Sequence, residues 1–555
     1  MTKTKKTGVL ATLLLLGAVA CADLDVVNPN DADAARVFVT AGDIEALIGG
    51  AFRNWQLSTQ EYGGPSWFLS AQSFQHSSCW ANAAVRKYGW LPRPEIINST
   101  ADGDYGRINY VWSRNYRAIA AVADGLRAIE DDPEVAAELG ATAVNRANAY
   151  GKFVQGLTHG SIGLLYDRGF IVDETTDISQ PQEAVDYNAM LAAALDYFDQ
   201  AIALATGQTW VTPDNWLSVE VSADELIRLA HSMKARYMAA VARTPTERAA
   251  VNWNTVITEI DAGITEPFIM DEPADYSGLF YNDMTYIFGW DTGWIQIAYF
   301  ILGMADQSGN YQHWLSISPV MERVPSISMG GTRDIMIVTP DLRFPQGTTP
   351  AEQDAYCPYD ADAQTYCVSR NLQYAIPYWS LANVWKRPDR GKWRWSWYVP
   401  VYWWNKIHGE DLGWYAEMTM EEMNLLKAEA LYRTGDPGGA ATIINITREA
   451  AGLNATDAAS TNTSCVPKLP DGTCGDLFEM LKWEKRIHTQ GLGLHSAPWY
   501  FEGRGWGDLY IGTQLQFPIP CQELETLQML PCYTFGSTGG EMAAPRSVYN
   551  WPLEE

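Results

Sequence analysis

Residues 135–166 carry one long stripe of apolar or small side chains, Val144, Ala147, Gly151, Val154, Thr158, Ile162 and Leu165, at spacings of three and four. That period belongs to an α-helix with a single buried face. The same spacing recurs over residues 113–129, 185–205, 223–241, 253–264, 418–432 and 439–451. Several of these segments are neighbours joined by short turn-forming stretches, Glu130-Asp131-Asp132-Pro133 and Thr434-Gly435-Asp436-Pro437-Gly438. Antiparallel helix pairs with alanine at the contact are the unit of tetratricopeptide-like architecture. A strict 34-residue repeat is missing, so the expectation is a mostly α fold: divergent helical pairs forming a scaffold over residues 42–266.

The first 20 residues read as an address. Lys3, Lys5 and Lys6 precede an apolar run, residues 9–20, that is too short to span a bilayer. Ala18-Val19-Ala20-Cys21 resembles a bacterial lipobox, which makes Cys21 the expected lipidated first residue and 21–41 an extended tether. The plainer alternative is a secretory leader followed by an incidental cysteine. Of the other seven cysteines, six fall into local pairs suited to disulfides in an oxidising compartment: Cys357 with Cys367, Cys465 with Cys474, and Cys521 with Cys532. Cys79 is left over, and the spacings do not suit zinc.

Between residues 267 and 413 helical periodicity fades into Gly, Pro, Asp and aromatic residues. Seven tryptophans lie from Trp385 to Trp414, and alternation along Trp393-Arg394-Trp395-Ser396-Trp397 places Trp393, Trp395 and Trp397 on one side of a strand. Trp403 and Trp404 follow. Aromatic rings on a rigid support stack on the C–H faces of sugar rings, although many of these tryptophans could instead pack the insert onto the scaffold. A smaller group, Trp80, Asn82, Tyr88 and Trp90, is a second candidate ligand surface. With 39 Lys plus Arg against 66 Asp plus Glu, the formal charge is -27. Nucleic acid is then a poor partner, and neutral ligands suit the surface better than anions.

Distinct motifs lie in the C-terminal segment, residues 414–555. Leu426-Lys427-Ala428-Glu429-Ala430-Leu431-Tyr432-Arg433 followed by Gly435-Asp436, and then Ile444-Asn445-Ile446-Thr447-Arg448, look like the last helical pair of the SusD/RagB lipoprotein family. Glu484-Lys485-Arg486, Glu502-Gly503-Arg504 with Asp508-Leu509, and Phe517-Pro518-Ile519-Pro520 with Glu523 are similar to its closing elements. Leu24-Asp25-Val26-Val27-Asn28-Pro29-Asn30 is the kind of stretch that follows the lipidated cysteine there. Two features depart from the pattern: a long separation over residues 491–499, and Cys532 with a Gly-Ser-Thr-Gly-Gly stretch near the end.

The resemblance implies a lipid-anchored outer-membrane protein that binds oligosaccharide, in some members peptide, and serves a SusC-like TonB-dependent transporter without catalysis. The 267–413 insert would then carry the ligand surface on one compact unit. Glu484, Arg486, Arg504 and Asp508 are expected to form a structural ion-pair network. No cofactor or metal is expected; some members bind Ca2+, but Asp360-Ala361-Asp362 is the only suitable short acidic pair and reads as a solvated turn. A glycoside hydrolase is the alternative from another class, since two carboxylates about 5–10 Å apart would suffice and 66 acids offer many chance pairs. The chain shows no metalloprotease, nucleophile-elbow, Walker or dinucleotide motif.

Overall fold

The computed structural model describes residues 40–60, 64–78, 84–271, 296–318, 336–360, 362, 365–366, 374–375, 396, 398–401, 405, 414–537 and 549. Cys21, Cys79, Trp80, Asn82, Cys367, Trp393, Trp395, Trp397, Trp403 and Trp404 lie outside the described residues. The main helices are α1 (Ala41–Gly49), α2 (Ala51–Gln60), α3 (Gly106–Asp131), α4 (Ala141–Leu165), α5 (Tyr187–Ala205), α6 (Ala223–Ala240), α7 (Trp253–Asp261), α8 (Met420–Arg433), α9 (Pro437–Ala450), α10 (Leu477–Thr489) and α11 (Pro498–Trp506). From α2 to α9 each helix packs on the next, and α10 packs on both α8 and α9. The result is a row of helical pairs.

The helix starts follow from local chemistry. Asp186, Ser222, Asn252, Thr419, Asp436 and Asp476 stand at the N-caps of α5 to α10, and each side chain accepts from a backbone N–H of the first turn that has no intrahelical partner. Pro437 opens α9, where its missing N–H is not needed. One expectation is corrected here. Residues 135–166 are two helices, Pro133–Leu139 and α4, because Gly140 takes a φ of +76°.

A second correction concerns the stripe. From Ala149 to Leu165 every residue of α4 is buried, on all faces, because α3, α5 and α6 each pack against it. Two of the polar residues on this helix find internal partners: Lys152 pairs with Glu174 at 2.5 Å, and His159 Nδ1 lies 2.7 Å from the Gln155 carbonyl. The C-terminus of α4 is closed by Arg243, whose guanidinium donates to the carbonyls of Gly163 (2.9 Å) and Tyr166 (2.8 Å) and to Gln516 Oε1 (2.6 Å). No carboxylate pairs with it among the described residues, and burial, with Arg504 nearby, lowers its pKa. The proline-flanked segment docks alongside, with Phe517 donating its N–H to Leu165 O and accepting from Asp167 N.

The chain leaves the scaffold and returns to it side by side. Strand β1 (Phe268–Asp271) pairs antiparallel with β2 (Trp414–Met418), and β2 runs directly into α8. Segments between them, including Ile297–Leu302, Tyr311, Trp314, Phe344 and Tyr398, form a second core against Trp483, Ile487 and Trp499. The expected single Glu/Arg network is divided in three. Glu484 accepts from Arg343 (2.7 and 3.1 Å); Asp508 pairs with Arg486 and Lys482; Arg504 donates to the carbonyls of Leu515 and Ala240. The partner of Glu484 comes from inside the insert, 141 residues away, which is why spacing did not reveal it.

Candidate functional site

Three remote segments meet at one backbone crossing. His76–Ser77 pairs antiparallel with Gln296–Ile297, and Ala298 N–H donates to Gln75 O. On the other side, Ser396 N–H donates to Ile297 O at 2.8 Å. Val399–Pro400 then pairs with Tyr374–Ala375. The first segment leads, two residues on, to the stretch with Trp80 and Asn82; the third lies inside the tryptophan-rich run. Both candidate groups therefore flank one crossing in the chain.

The crossing is firmly founded. Phe74 and Phe300 pack with ring centroids 4.3 Å apart, and Tyr299 and Phe300 both meet Trp314 edge-on at 5.1 Å. Ser396 and Tyr398 are buried. Tyr398 OH accepts from Ile337 N–H at 2.9 Å and donates to Gln353 Oε1 at 3.0 Å, tying the tryptophan-rich run to the helix Pro350–Tyr356. Tyr398→Phe is expected to lower stability by about 1–3 kcal/mol, because both partners stay buried without a replacement. Thermal unfolding measures this, and a loss within experimental scatter would remove Tyr398 as an anchor.

The polar atoms at the crossing are unusual. The Gln75 side-chain amide, Ser77 Oγ and the Tyr299 hydroxyl are buried and find no hydrogen-bond partner among the described residues. Native interiors leave few such groups, so each marks a place where water or a ligand would be accepted. No motif singles these three out in the sequence, and only the approach of residues 75–77 to 296–299 brings them together. Of the residues expected from sequence, Tyr88 belongs to the core, its ring 5.1 Å from Phe68. Trp90 is 36% exposed.

Elsewhere the chemistry is structural. Ser161 Oγ lies 3.1 Å from His495 Nε2, but both are fully buried; Trp55 Nε1 donates to the same hydroxyl at 2.8 Å. Burial lowers the pKa of His495 to about 3, so the ring is neutral. Asp360 accepts from the Asp362 N–H within its own turn. Cys465–Cys474 and Cys521–Cys532 are disulfides; Cys357 is also disulfide-bonded. Glu525 approaches the second pair, whose sulfurs, being bonded to each other, offer no thiolate to a metal.

No protein-family model matches the chain, and no curated protein matches it in sequence. Solved structures do. A SusD superfamily protein from Bacteroides vulgatus ATCC 8482 aligns with a TM-score of 0.50 over 85% of this chain and 89% of its own, at 11% identity. A SusD homolog from Parabacteroides distasonis ATCC 8503 aligns with a TM-score of 0.50 over 83% and 84%, at 14% identity. At such identities the likeness is one of fold, and the fold of this chain is that of the SusD superfamily.

Proposed function

We propose that this chain is a non-catalytic glycan-binding lipoprotein, lipidated at Cys21 and held at the outer membrane, that passes oligosaccharide to a SusC-like TonB-dependent barrel. The observation that carries the reading is the crossing of residues 75–78, 296–298 and 396–400, because it lies next in the chain to both aromatic groups of the sequence and holds buried polar atoms with no partner among the described residues. Trp395 and Trp397 alternate in sequence with the buried Ser396 and Tyr398. Strand-like alternation would give them the face opposite Ser396 and Tyr398, where a pyranose ring could stack. The net charge of -27 favours an uncharged ligand. The likeness of fold to SusD proteins supports the transporter partnership and the anchor. No helix among the described residues is long and apolar enough to cross a membrane.

The test is titration of a panel of neutral oligosaccharides and of peptides against the wild type and a Trp395→Ala/Trp397→Ala variant. Removing a central aromatic anchor costs about 2 kcal/mol or more, so roughly thirtyfold weaker glycan binding is expected, with helical circular dichroism unchanged. Equal affinity in the variant would move the site elsewhere. Peptide binding alone would replace the ligand class, and release of shortened glycan would make the chain a hydrolase. Recovery of the anchored protein from native membranes without a large barrel in comparable amount would refute the hand-off.

A further inference from the structure

Asn109, Ser113 and Arg117 form one row along α3, and the row lines an open cavity of about 420 Å³ shared with the short helix Cys521–Thr526. Members of the row are one turn apart, so Arg117 stands about 12 Å along the axis from Asn109. Asn109 Nδ2 donates to Gln522 Oε1 at 3.4 Å and joins the two walls at the Asn109 end. The short helix is held in place: Cys521 is bonded to Cys532, the Cys521 N–H donates to Asn98 Oδ1 at 2.8 Å, and the Gln522 N–H donates to Tyr105 OH at 2.7 Å. Tyr116 also lines the cavity and is half-buried. Its hydroxyl is committed to the backbone of Phe170, donating to the carbonyl at 3.1 Å and accepting from the N–H at 2.6 Å, so only the ring is on offer.

Arg117, exposed, and Glu523, half-buried, both line this cavity, and neither side chain makes an ion pair or hydrogen bond among the described residues. Comparable groups on α3 and α4 do pair, Arg127 with Asp124 at 3.1 Å and Arg146 with Glu45. Burial raises the pKa of the Tyr116 hydroxyl and the charge of Glu523 adds to the rise, which places that carboxylate close to the ring next to Arg117 in the chain. Two opposite charges that are open to one cavity and not joined to each other complement a ligand carrying both signs. An anion would meet Glu523 with its own sign, and a cation would meet Arg117. We infer that the cavity binds a small zwitterion of the α-amino-acid class, its carboxylate on Arg117, its ammonium on Glu523 and its side chain against the Tyr116 ring. The guanidinium offers paired N–H donors that match a carboxylate. Such a ligand is neutral overall, which suits a chain with a net charge of -27.

The cavity shares no residue with the crossing of residues 75–78, 296–298 and 396–400, so its test leaves the glycan reading untouched. Isothermal titration of the full-length protein compares phenylalanine with phenylalanine amide, which keeps only the ammonium, and with N-acetylphenylalanine, which keeps only the carboxylate. The wild type is expected to bind phenylalanine about tenfold more tightly than either, the scale of one charge-assisted hydrogen bond. Arg117→Gln should bring phenylalanine down to the level of the amide, and Glu523→Gln down to that of the N-acetyl compound. Both positions are open to solvent, so thermal unfolding should be unchanged in each variant. The proposal is overturned if phenylalanine does not bind, if it binds no better than the capped compounds, or if neither variant weakens it. Binding of cellobiose that Ser113→Trp abolishes, with no binding of phenylalanine, would also overturn it and give the cavity to sugar.

Discussion

Replacing Glu429 by alanine should destabilise the protein by about 3–5 kcal/mol, the usual loss when one partner of a buried ion pair is removed. Glu429 is fully buried and engaged from several sides. Arg248 grips it with two hydrogen bonds, 2.9 Å from Nε and 2.6 Å from Nη2. Arg433 Nε donates to it at 2.8 Å and Trp506 Nε1 at 3.1 Å, while Lys485 lies 3.8 Å away. Alanine would leave the Arg248 guanidinium buried with, among the described residues, only the Ala239 carbonyl as a hydrogen-bond partner. The damage comes from that stranded charge, not from the net worth of the pair, so a paired Arg248→Met/Glu429→Leu change should cost less than Glu429→Ala alone.

The pH dependence has a definite sign. Burial would raise the pKa of Glu429, but Arg248, Lys485 and Arg433 outweigh it and hold the folded-state value below the ordinary carboxylate range. A depressed folded pKa contributes stability that is fully present above the unfolded value of about 4.3 and is lost as pH falls towards the folded one. The gap between wild type and Glu429→Ala should therefore be constant near neutral pH and narrow only in acid. Urea unfolding followed by tryptophan fluorescence at several pH values reads both effects. A gap under about 1 kcal/mol at pH 7 would show that the pair is dispensable.

The second large effect is expected at Gly160. A Cβ there would stand 2.1 Å from Cε2 and 2.3 Å from Cδ2 of Tyr237 on α6, well inside contact distance. The ring cannot swing away freely, because its hydroxyl donates to Leu157 O at 3.1 Å and lies 3.3 Å from Ser161 Oγ. Alanine gains about 1 kcal/mol of helix propensity over glycine. Overpacking costs about 1–3 kcal/mol and occasionally more, and at this separation it outweighs the gain. Gly160→Val adds a second methyl against the same wall and should be worse. Thermal unfolding decides; a Gly160→Ala protein as stable as wild type would mean that α4 and α6 can separate, and the all-round burial of α4 would no longer be obligatory.

How far the sequence carries the fold can be seen on α4 itself. Its position followed from the period of its apolar residues, but its surroundings did not. Ser161 and Gly160 look like neutral positions on an exposed face until α6 is laid against them. The Ala428-Glu429-Ala430 motif is similar: the alanines announced a close helix contact, while the role of Glu429 depended on Arg248, 181 residues earlier. Trp80 and the tryptophan-rich run were visible as composition. Gln75, Ser77 and Tyr299 were not, because an isolated polar residue carries no signal until its neighbours fail to satisfy it.

By itself the sequence determined the local structure: where helices begin, through Asp, Ser, Asn and Thr caps; the turn at Gly435 between α8 and α9; and the short disulfide loops 465–474 and 521–532. These depend on groups within a turn or a short loop of one another, so spacing along the chain is enough to reveal them. Only the tertiary structure decided that α4 is buried on every face, that Arg343 answers Glu484, and that residues 75–78, 296–298 and 396–400 cross. Those contacts join elements dozens to hundreds of residues apart and are set by how finished elements pack, which no local period records.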